Sequence, residues 1–259
     1  MKGSRYEVSL PWRDCHNPLP TNYDLSRRRL TGLLRRLKQS PDILKEYDSI
    51  IQTQLKEGII EVVKEDRTDL KAVHYLPHHA MVHQDKETTK VGIVYDASAK
   101  ASGPSLNDCL HVGPKFNQRI NELLFRFRSY PVAVVADIEK AFLMISVNPD
   151  DHDVLRFLWV ENPFDNDVKP VMLRFTRVVF GVSSSPFLLN ATIRHRLELY
   201  HPSESDLVES LSRSTYVDDI IAGADSEDDA FRLYGESKEM LSHGSFNLKV
   251  CIKFSSATR

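Results

Sequence analysis

The sequence predicts an α+β fold in which a sheet carries helices on one of its faces. Three observations support this prediction. Helical periodicity fills residues 25–55, short β-branched runs follow it, and from residue 131 onward the pattern is strand, helix, strands, helix, hairpin, helix and strand. This order is typical of a split βαβ sheet. The helical lead-in and the early strands would form a second layer attached to that sheet.

The N-terminal half begins with an extended segment and two helices. Residues 1–22 are rich in Pro, Asn and Asp, and residues 25–38 have the pattern of a basic amphipathic helix. The next helix begins with Ser40 at the N-cap and Pro41 in its first turn, and Gly58 is placed to end it. The elements expected next are a strand at 59–63, short strands within 72–96 joined by a polar turn at 84–89, a loop-rich part at 97–114 and a helix at 117–128.

The C-terminal half is expected to hold the sheet. Pro131 breaks the preceding helix, and the β-branched run from Val132 to Ile138 predicts a buried strand. Residues 215–222 alternate around two aspartates and predict a strand–turn–strand hairpin. The other elements expected here are a helix start at 141–147, strands at 154–160 and 171–175, helices at 186–200 and 226–242, and a final strand or pair at 246–254.

The composition is that of an ordinary globular chain, with 41% hydrophobic and 27% charged residues. No apolar run approaches the roughly 18–20 residues that a membrane span needs, and the N-terminus lacks the pattern of a signal peptide. The three cysteines lie far apart, which argues against a disulfide framework. We therefore expect a protein of the cytoplasm or nucleus with no membrane partner.

Charge is distributed unevenly around a net value of −2. Residues 1–60 contain 11 Lys or Arg and 7 Asp or Glu, whereas residues 201–259 contain 6 basic and 11 acidic residues. A basic surface for phosphates beside an acidic site for metals would produce this asymmetry. Scattered charges on solvated faces would produce it as well.

Two acidic clusters stand at the ends of predicted strands. Asp137 lies at the end of the buried strand, and Asp218 and Asp219 lie in the predicted hairpin. A carboxylate next to buried apolar residues requires a partner, and Mg²⁺ prefers such hard oxygen ligands. Two Mg²⁺ ions about 3.5–4 Å apart can promote phosphoryl transfer. The alternative is an ordinary turn, because Asp is a favoured turn residue.

Three motifs, in matching order and spacing, resemble those of reverse transcriptases. Residues 216–219 are similar to the Tyr-x-Asp-Asp hairpin, Asp137 with Phe142 to the preceding polymerase motif, and residues 177–187 to a third motif near template and nucleotide. Further segments resemble the reverse transcriptases of BEL/Pao long-terminal-repeat retrotransposons. These segments are 75–80, 94–100, 103–108 and 244–249. The resemblance extends from about Tyr6 to Lys249.

This resemblance implies the fingers and palm of a right-hand polymerase, with a ferredoxin-like palm sheet that has helices on one face. The implied division is an extended lead-in at 1–22, a fingers-like region at 23–130 and a palm at 131–259, with some fingers segments interleaved. Thumb and RNase H would be absent, so we expect a fragment or a decayed copy. The implied activity is RNA-directed DNA polymerisation on an RNA or DNA template–primer with deoxynucleoside triphosphates, within an oligomer or a parent polyprotein.

The resemblance also implies the catalytic and metal-binding residues. Asp137, Asp218 and Asp219 would be catalytic and would hold two Mg²⁺ ions, or Mn²⁺, with help from the main-chain carbonyl of Ile138. Phe142 would stack under the sugar of the incoming nucleotide and exclude a ribose 2′-hydroxyl, which alone distinguishes the two nucleotide classes. The alternative for Phe142 is an ordinary core residue.

The remaining implied contacts are to the nucleotide and template. Phe180 and Gly181 would pack against both, and Lys249 would lie near the triphosphate. For Phe180 a core position remains open, and for Lys249 a solvated one. Gly92 departs from the family, which usually has an arginine there that holds the triphosphate; Lys90 would substitute only in part. A catalytically weak or inactive nucleic-acid-binding remnant is therefore a second hypothesis.

Overall fold

The computed structural model describes residues 5–63, 72–82, 91–116, 118–165, 169–199 and 205–253. The α-helices are α1 (Tyr23–Leu37), α2 (Pro41–Lys56), α3 (Leu106–Cys109), α4 (Ile120–Arg128), α5 (Ser185–Glu198), α6 (Ser205–Ser214) and α7 (Glu227–Ser242). The strands are β1 (Glu7–Val8), β2 (Ile60–Val62), β3 (His78–Val82), β4 (Val91–Tyr95), β5 (Val132–Ile138), β6 (Ser146–Val147), β7 (Arg156–Val160), β8 (Pro170–Phe175), β9 (Thr215–Tyr216), β10 (Asp219–Ala224) and β11 (Leu248–Lys253). Short 3₁₀ helices occupy Ala141–Met144 and Pro149–Leu155.

The chain folds as two compact units. Unit 1 contains the described residues of 1–7, 113–145 and 186–259, and unit 2 contains those of 8–112 and 146–185. The interleaving is deeper than a boundary near residue 130 implies, because β8 pairs with β2 and brings β7 with it into unit 2. None of the helices in the described residues combines the length and apolar character that crossing a membrane requires.

Unit 1 is organised around a four-stranded antiparallel sheet with the order β11–β5–β10–β9. β5 lies inside this sheet, and its apolar residues Val134, Ala136 and Ile138 are buried. Since β10 is antiparallel to both β5 and β9, those two strands run parallel with β10 between them. The predicted strand Val132–Ile138 is confirmed at both ends.

The helices of unit 1 agree with the prediction except at α6. α7 begins where expected, because the Ser226 hydroxyl accepts a hydrogen bond from the main-chain N–H of Asp229 at 3.2 Å. α6 is not among the predicted elements. Four of its ten residues are serines, which have weak helical propensity. Leu211, which is 2% exposed, supplies a tertiary contact that local sequence does not reveal.

Unit 2 combines a three-stranded sheet, β2–β8–β7, with the β3–β4 hairpin and helices α1 and α2. Both helices match their predictions, and Gly58, with φ +65°, follows the end of α2 as expected. Its core contains packed aromatic rings: Tyr95, Phe157 and Phe175 have centroids 4.7–5.2 Å apart. The polar turn expected at 84–89 lies outside the described residues.

A buried ion network also stabilises unit 2. One carboxylate oxygen of Asp153 accepts hydrogen bonds from Arg156 Nη2 at 2.8 Å and Arg174 Nη1 at 2.7 Å. Arg174 also pairs with Glu61 at 2.7 Å. Burial by itself raises the pKa of Asp153, but the bonds from Arg174 and Arg156 outweigh it and the pKa is lowered. We call Asp153 a compensated carboxylate, because the two arginines balance its negative charge.

Candidate active site

The register of the unit 1 sheet brings the predicted acidic residues together. Asp137 is the penultimate residue of β5 and Asp219 the first of β10, and the two are direct partners across the strand pair. Asp218 immediately precedes Asp219, in the β9–β10 turn. Its main-chain carbonyl accepts a hydrogen bond from the N–H of Ile138 at 2.8 Å, which fixes the tip of the hairpin to the end of β5.

The turn between β9 and β10 is a strained two-residue connection. Tyr216 and Asp219 are partners across it, so Val217 and Asp218 form the turn. Val217 has φ +56°, in the left-handed region that a β-branched side chain rarely adopts. Such strain costs about 1–3 kcal/mol and persists only where surrounding contacts maintain it. Here one such contact is the bond from Ile138 to the carbonyl of Asp218.

The acidic residues repel one another. Burial raises the pKa of Asp137, and the charge of Asp218 raises it further. The pKa of Asp219 is raised by burial first, and then by Asp218 and Asp137. Neighbouring carboxylates whose charges repel one another, all of them hard oxygen donors, fit a divalent cation chemically. Among the described residues, however, no three His, Cys, Asp or Glu side chains already form a group arranged to hold one.

Lys249 lies on the other side of β5 from the hairpin. It is the β11 partner of Asp137, and its charge opposes the rise in the pKa of Asp137. Its ammonium pairs with Glu139 at 2.5 Å, while the Asn247 amide donates to the other carboxylate oxygen of Glu139 at 2.8 Å. These two bonds lower the pKa of Glu139. Lys249 is exposed, which agrees with the alternative that it is a solvated lysine, but its ammonium is ion-paired with Glu139.

Glu139 and Asn247 adjoin the candidate site through Lys249, and the sequence prediction did not include them. A signal existed for Glu139, because it stands two positions after Asp137 and alternate residues of an extended chain share a face. Asn247 had no comparable signal, since its position depends on how β11 pairs with β5. The main-chain carbonyl of Ile138 as a metal ligand stays a prediction.

Phe142 occupies a core position. It lies in the 3₁₀ helix Ala141–Met144, which turns its side chain into unit 1 and leaves it 2% exposed. Its burial agrees with the core alternative. A contact between Phe142 and the sugar of a nucleotide stays a prediction.

The loop at Phe180 and Gly181 belongs to unit 2 and is exposed. Phe180 is 56% exposed, so its core alternative is wrong. Gly181 has φ +94°, and a Cβ there would lie 2.2 Å from the main-chain oxygen of Tyr95. Asn107 holds the loop, since its amide donates to the carbonyl of Gly181 at 3.0 Å and its oxygen accepts from the N–H of Ser183 at 2.8 Å. The glycine is thus required by the protein itself, whatever a nucleotide adds.

Gly92 lies in β4 opposite Met81. A Cβ at Gly92 would have only ordinary contacts, 3.9 Å to the Met81 oxygen and 4.0 Å to the Met81 Cβ. The local backbone would therefore accept a larger residue, and steric exclusion does not explain why the family's arginine is missing. Lys90, the predicted partial substitute, lies outside the described residues.

The described chain has the fold of solved reverse transcriptases. It aligns with a selenomethionine-labelled CSH mutant of the prototype foamy virus protease-reverse transcriptase at a TM-score of 0.61 and 16% identity, over 96% of this chain and 27% of that chain. The native prototype foamy virus protease-reverse transcriptase gives a TM-score of 0.56 at 15% identity, over 95% of this chain and 26% of that chain. The foamy viral protease-reverse transcriptase dRH in complex with double-stranded DNA gives a TM-score of 0.59 at 15% identity, over 95% of this chain and 35% of that chain.

The chain thus spans between 26% and 35% of the structures it matches. At 15–16% identity the likeness is one of fold. No protein-family model matches the sequence, and no curated protein matches it either. The similarity to BEL/Pao elements therefore stays a prediction from the motifs.

Proposed function

We propose that this chain is the fingers and palm part of a reverse transcriptase similar to those of BEL/Pao retrotransposons, and that it catalyses RNA-directed DNA polymerisation. The observation that carries the proposal is the direct pairing of Asp137 with Asp219 beside a turn that bears Asp218. The strand order of unit 1 supports a ferredoxin-like palm, since its four strands, numbered along the chain, lie in the order fourth, first, third, second. The reverse transcriptase fold supports the assignment as well.

The carboxylates of Asp137, Asp218 and Asp219 would hold two Mg²⁺ ions, with the Ile138 carbonyl as a further ligand. When bound, these ions would lower the pKa of a primer 3′-hydroxyl and stabilise the leaving oxygen. The chain contributes positioning: the β5–β10 register and the bond from Ile138 to the Asp218 carbonyl hold the carboxylates at one sheet end before substrate arrives. Such preorganisation supplies much of the acceleration in phosphoryl transfer.

Other residues would orient the deoxynucleoside triphosphate and the template–primer. Lys249 carries a positive charge on the strand next to Asp137, which suits a role near the triphosphate. Exposed Phe180 offers a ring for stacking, and Gly181 a backbone that leaves room for close approach. Phe142 would limit the sugar from beneath through its buried ring.

Primer extension on RNA and DNA templates, with Mg²⁺ or Mn²⁺, tests the proposal. We expect extension by the full chain and none by Asp137→Asn or Asp218→Asn. Asp225→Asn is the matched control, because Asp225 is an exposed aspartate just beyond β10 and outside the acidic group. Extension that survives Asp218→Asn, or that is lost equally in Asp225→Asn, would contradict the assignment.

A nucleic-acid-binding remnant is the second candidate function. Gly92 favours it, because glycine offers a triphosphate no cation. Salt-dependent binding of a primer–template with no extension in either metal would establish this function instead.

A further inference from the structure

Helix α4 presents an exposed apolar and basic surface in unit 1. Although it packs on β10, Leu123 is its one fully buried residue. Ile120 and Leu124 are each 41% exposed and Phe125 is 73% exposed, while Arg119 and Arg128 at the two ends are also exposed. We name these five residues the α4 surface. Arg119 also pairs with the exposed Glu122 of the same helix at 3.8 Å. Contiguous exposed apolar side chains rimmed by charge mark interaction sites more often than chance exposure does.

A groove of opposite charge runs between α6 and α7 in the same unit. It encloses about 640 Å³. Apolar side chains and carboxylates line it, chiefly Asp206, Leu207, Leu233, Glu236, Glu239 and Met240. Arg232 and His243 also line it, but the guanidinium of Arg232 is held by Asp229 at 2.9 Å. The α6–α7 groove therefore offers an apolar floor with a net acidic rim.

The α4 surface and the α6–α7 groove are neighbours. A second, smaller cleft lies between α4, α6 and β10, and Asp206 and Ser210 of α6 line both this cleft and the groove. Arg126 of α4 also donates to the main-chain carbonyl of Arg213 in α6 at 2.7 Å. Unit 1 thus carries a basic apolar helix in contact with one wall of an acidic apolar groove.

We propose that two copies of this chain associate reciprocally, with α4 of each copy seated in the α6–α7 groove of the other. The argument is self-complementarity: the two elements carry opposite charges, and each offers apolar surface that the other can cover. Adjacent complementary elements are what a twofold, isologous interface needs, because every contact is then made twice. Doubling also helps two small patches reach the roughly 1,200–2,000 Å² that specific interfaces bury in total.

A second copy explains both elements together. A separate basic helical partner would cover the groove and leave Phe125 in water, and an acidic partner would cover α4 and leave the groove open. This inference is independent of the proposed polymerase activity.

Mixing two charge-reversed variants tests the reciprocal contact. Variant A carries Arg119→Glu and Arg128→Glu, and variant B carries Glu236→Lys and Glu239→Lys. In either variant alone, α4 and the groove have charges of the same sign, so sedimentation equilibrium should show a monomer where the wild-type chain is dimeric. An equimolar mixture should form a dimer again, because both contacts between A and B are then between opposite charges. High salt should weaken both the wild-type and the mixed dimers.

Several outcomes would overturn the proposal. The proposal fails if the wild-type chain stays monomeric at every concentration. It also fails if the mixture of A and B stays monomeric. A dimer of variant B alone would mean that α4 meets α4, or that another surface is used. The charge-reversal control is Glu198→Lys, at an exposed position of unit 1 outside the groove, and it should dimerise like the wild type.

An apolar substitution keeps the test valid if a charge-reversed variant misfolds. Phe125→Ser should raise the dimer dissociation constant at least tenfold while circular dichroism stays unchanged. Leu199→Ser is its control, since Leu199 is 57% exposed in the same unit and lies outside both elements. Equal dissociation constants for these two variants would remove α4 from the interface.

Discussion

Asp153 in unit 2 is buried and Asp137 in unit 1 is exposed, and their pKa values move in opposite directions. Two arginines surround Asp153 and lower its pKa despite burial. Burial and the neighbouring charge of Asp218 raise the pKa of Asp137. Removing one partner of a compensated buried pair destabilises a fold, whereas a carboxylate whose pKa is raised by neighbouring charges is a candidate functional group. This contrast separates structural acids from candidate functional acids.

Removing the compensated carboxylate should have the largest effect. Asp153→Ala leaves Arg156 buried without its partner, and breaking a buried pair costs about 3–5 kcal/mol. Far-ultraviolet circular dichroism during denaturation in urea covers the secondary structure of both units, so it reports on Asp153 in unit 2 and on Asp137 in unit 1. Asp137→Ala is the matched control and should change the free energy of unfolding by less than about 0.5 kcal/mol. Equal losses in the two variants would erase the contrast.

Introducing a positive charge at position 92 of unit 2 should have the next largest effect. Gly92→Arg finds room in β4, and a charge-assisted hydrogen bond to a triphosphate contributes about 1.5–3 kcal/mol. We expect the KM for deoxynucleoside triphosphates to fall at least about tenfold in primer extension, with a smaller change in kcat. Gly92→Gln controls for the added side chain. A gain in Gln equal to that in Arg would mean that the strand is stabilised and that no charge contact forms.

Mg²⁺ should stabilise the site with the repelled carboxylates. An ion that binds only the folded state at ten times its dissociation constant adds about 1.4 kcal/mol to the free energy of unfolding. The gain should appear as a higher melting temperature by far-ultraviolet circular dichroism, at constant ionic strength. It should vanish in the double variant Asp137→Asn/Asp218→Asn and persist in Asp225→Asn. Persistence of the shift in the double variant would place the ion elsewhere.

The acidic hairpin was predictable from sequence because its signals are local. A β-branched run that ends at Asp137 and a hairpin around Asp218 need only the two-residue periodicity of strands. The bond between Lys249 and Glu139 was not predictable, since it depends on the register of β11 against β5, set by pairing 110 positions apart in sequence. The burial of Phe142 and of Phe180 could not be predicted from local sequence either. One is buried and the other exposed, and tertiary packing decides which.

The smallest predicted effect is a difference in the pH dependence of stability. The folded pKa of Asp153 lies below its ordinary value of 3.8, so its contribution is present above pH 3.8 and is lost as the pH falls through the lowered value. The folded pKa of Asp137 lies above 3.8, so its contribution is present below pH 3.8 and is lost as the pH rises through the raised value.

The Asp137→Asn variant no longer has the titration of Asp137 but keeps that of Asp153. From pH 3.8 to 7, the wild-type chain should therefore lose stability relative to Asp137→Asn, by less than about 1 kcal/mol because the group is exposed. Asp153→Asn should give a difference of opposite slope, with the advantage of the wild-type chain growing as the pH rises from 2 to 5. Urea midpoints measured across both windows check the two slopes. Slopes of the same sign would mean that Asp137 is compensated in the folded chain, and the case for it as a cation ligand would lose its electrostatic basis.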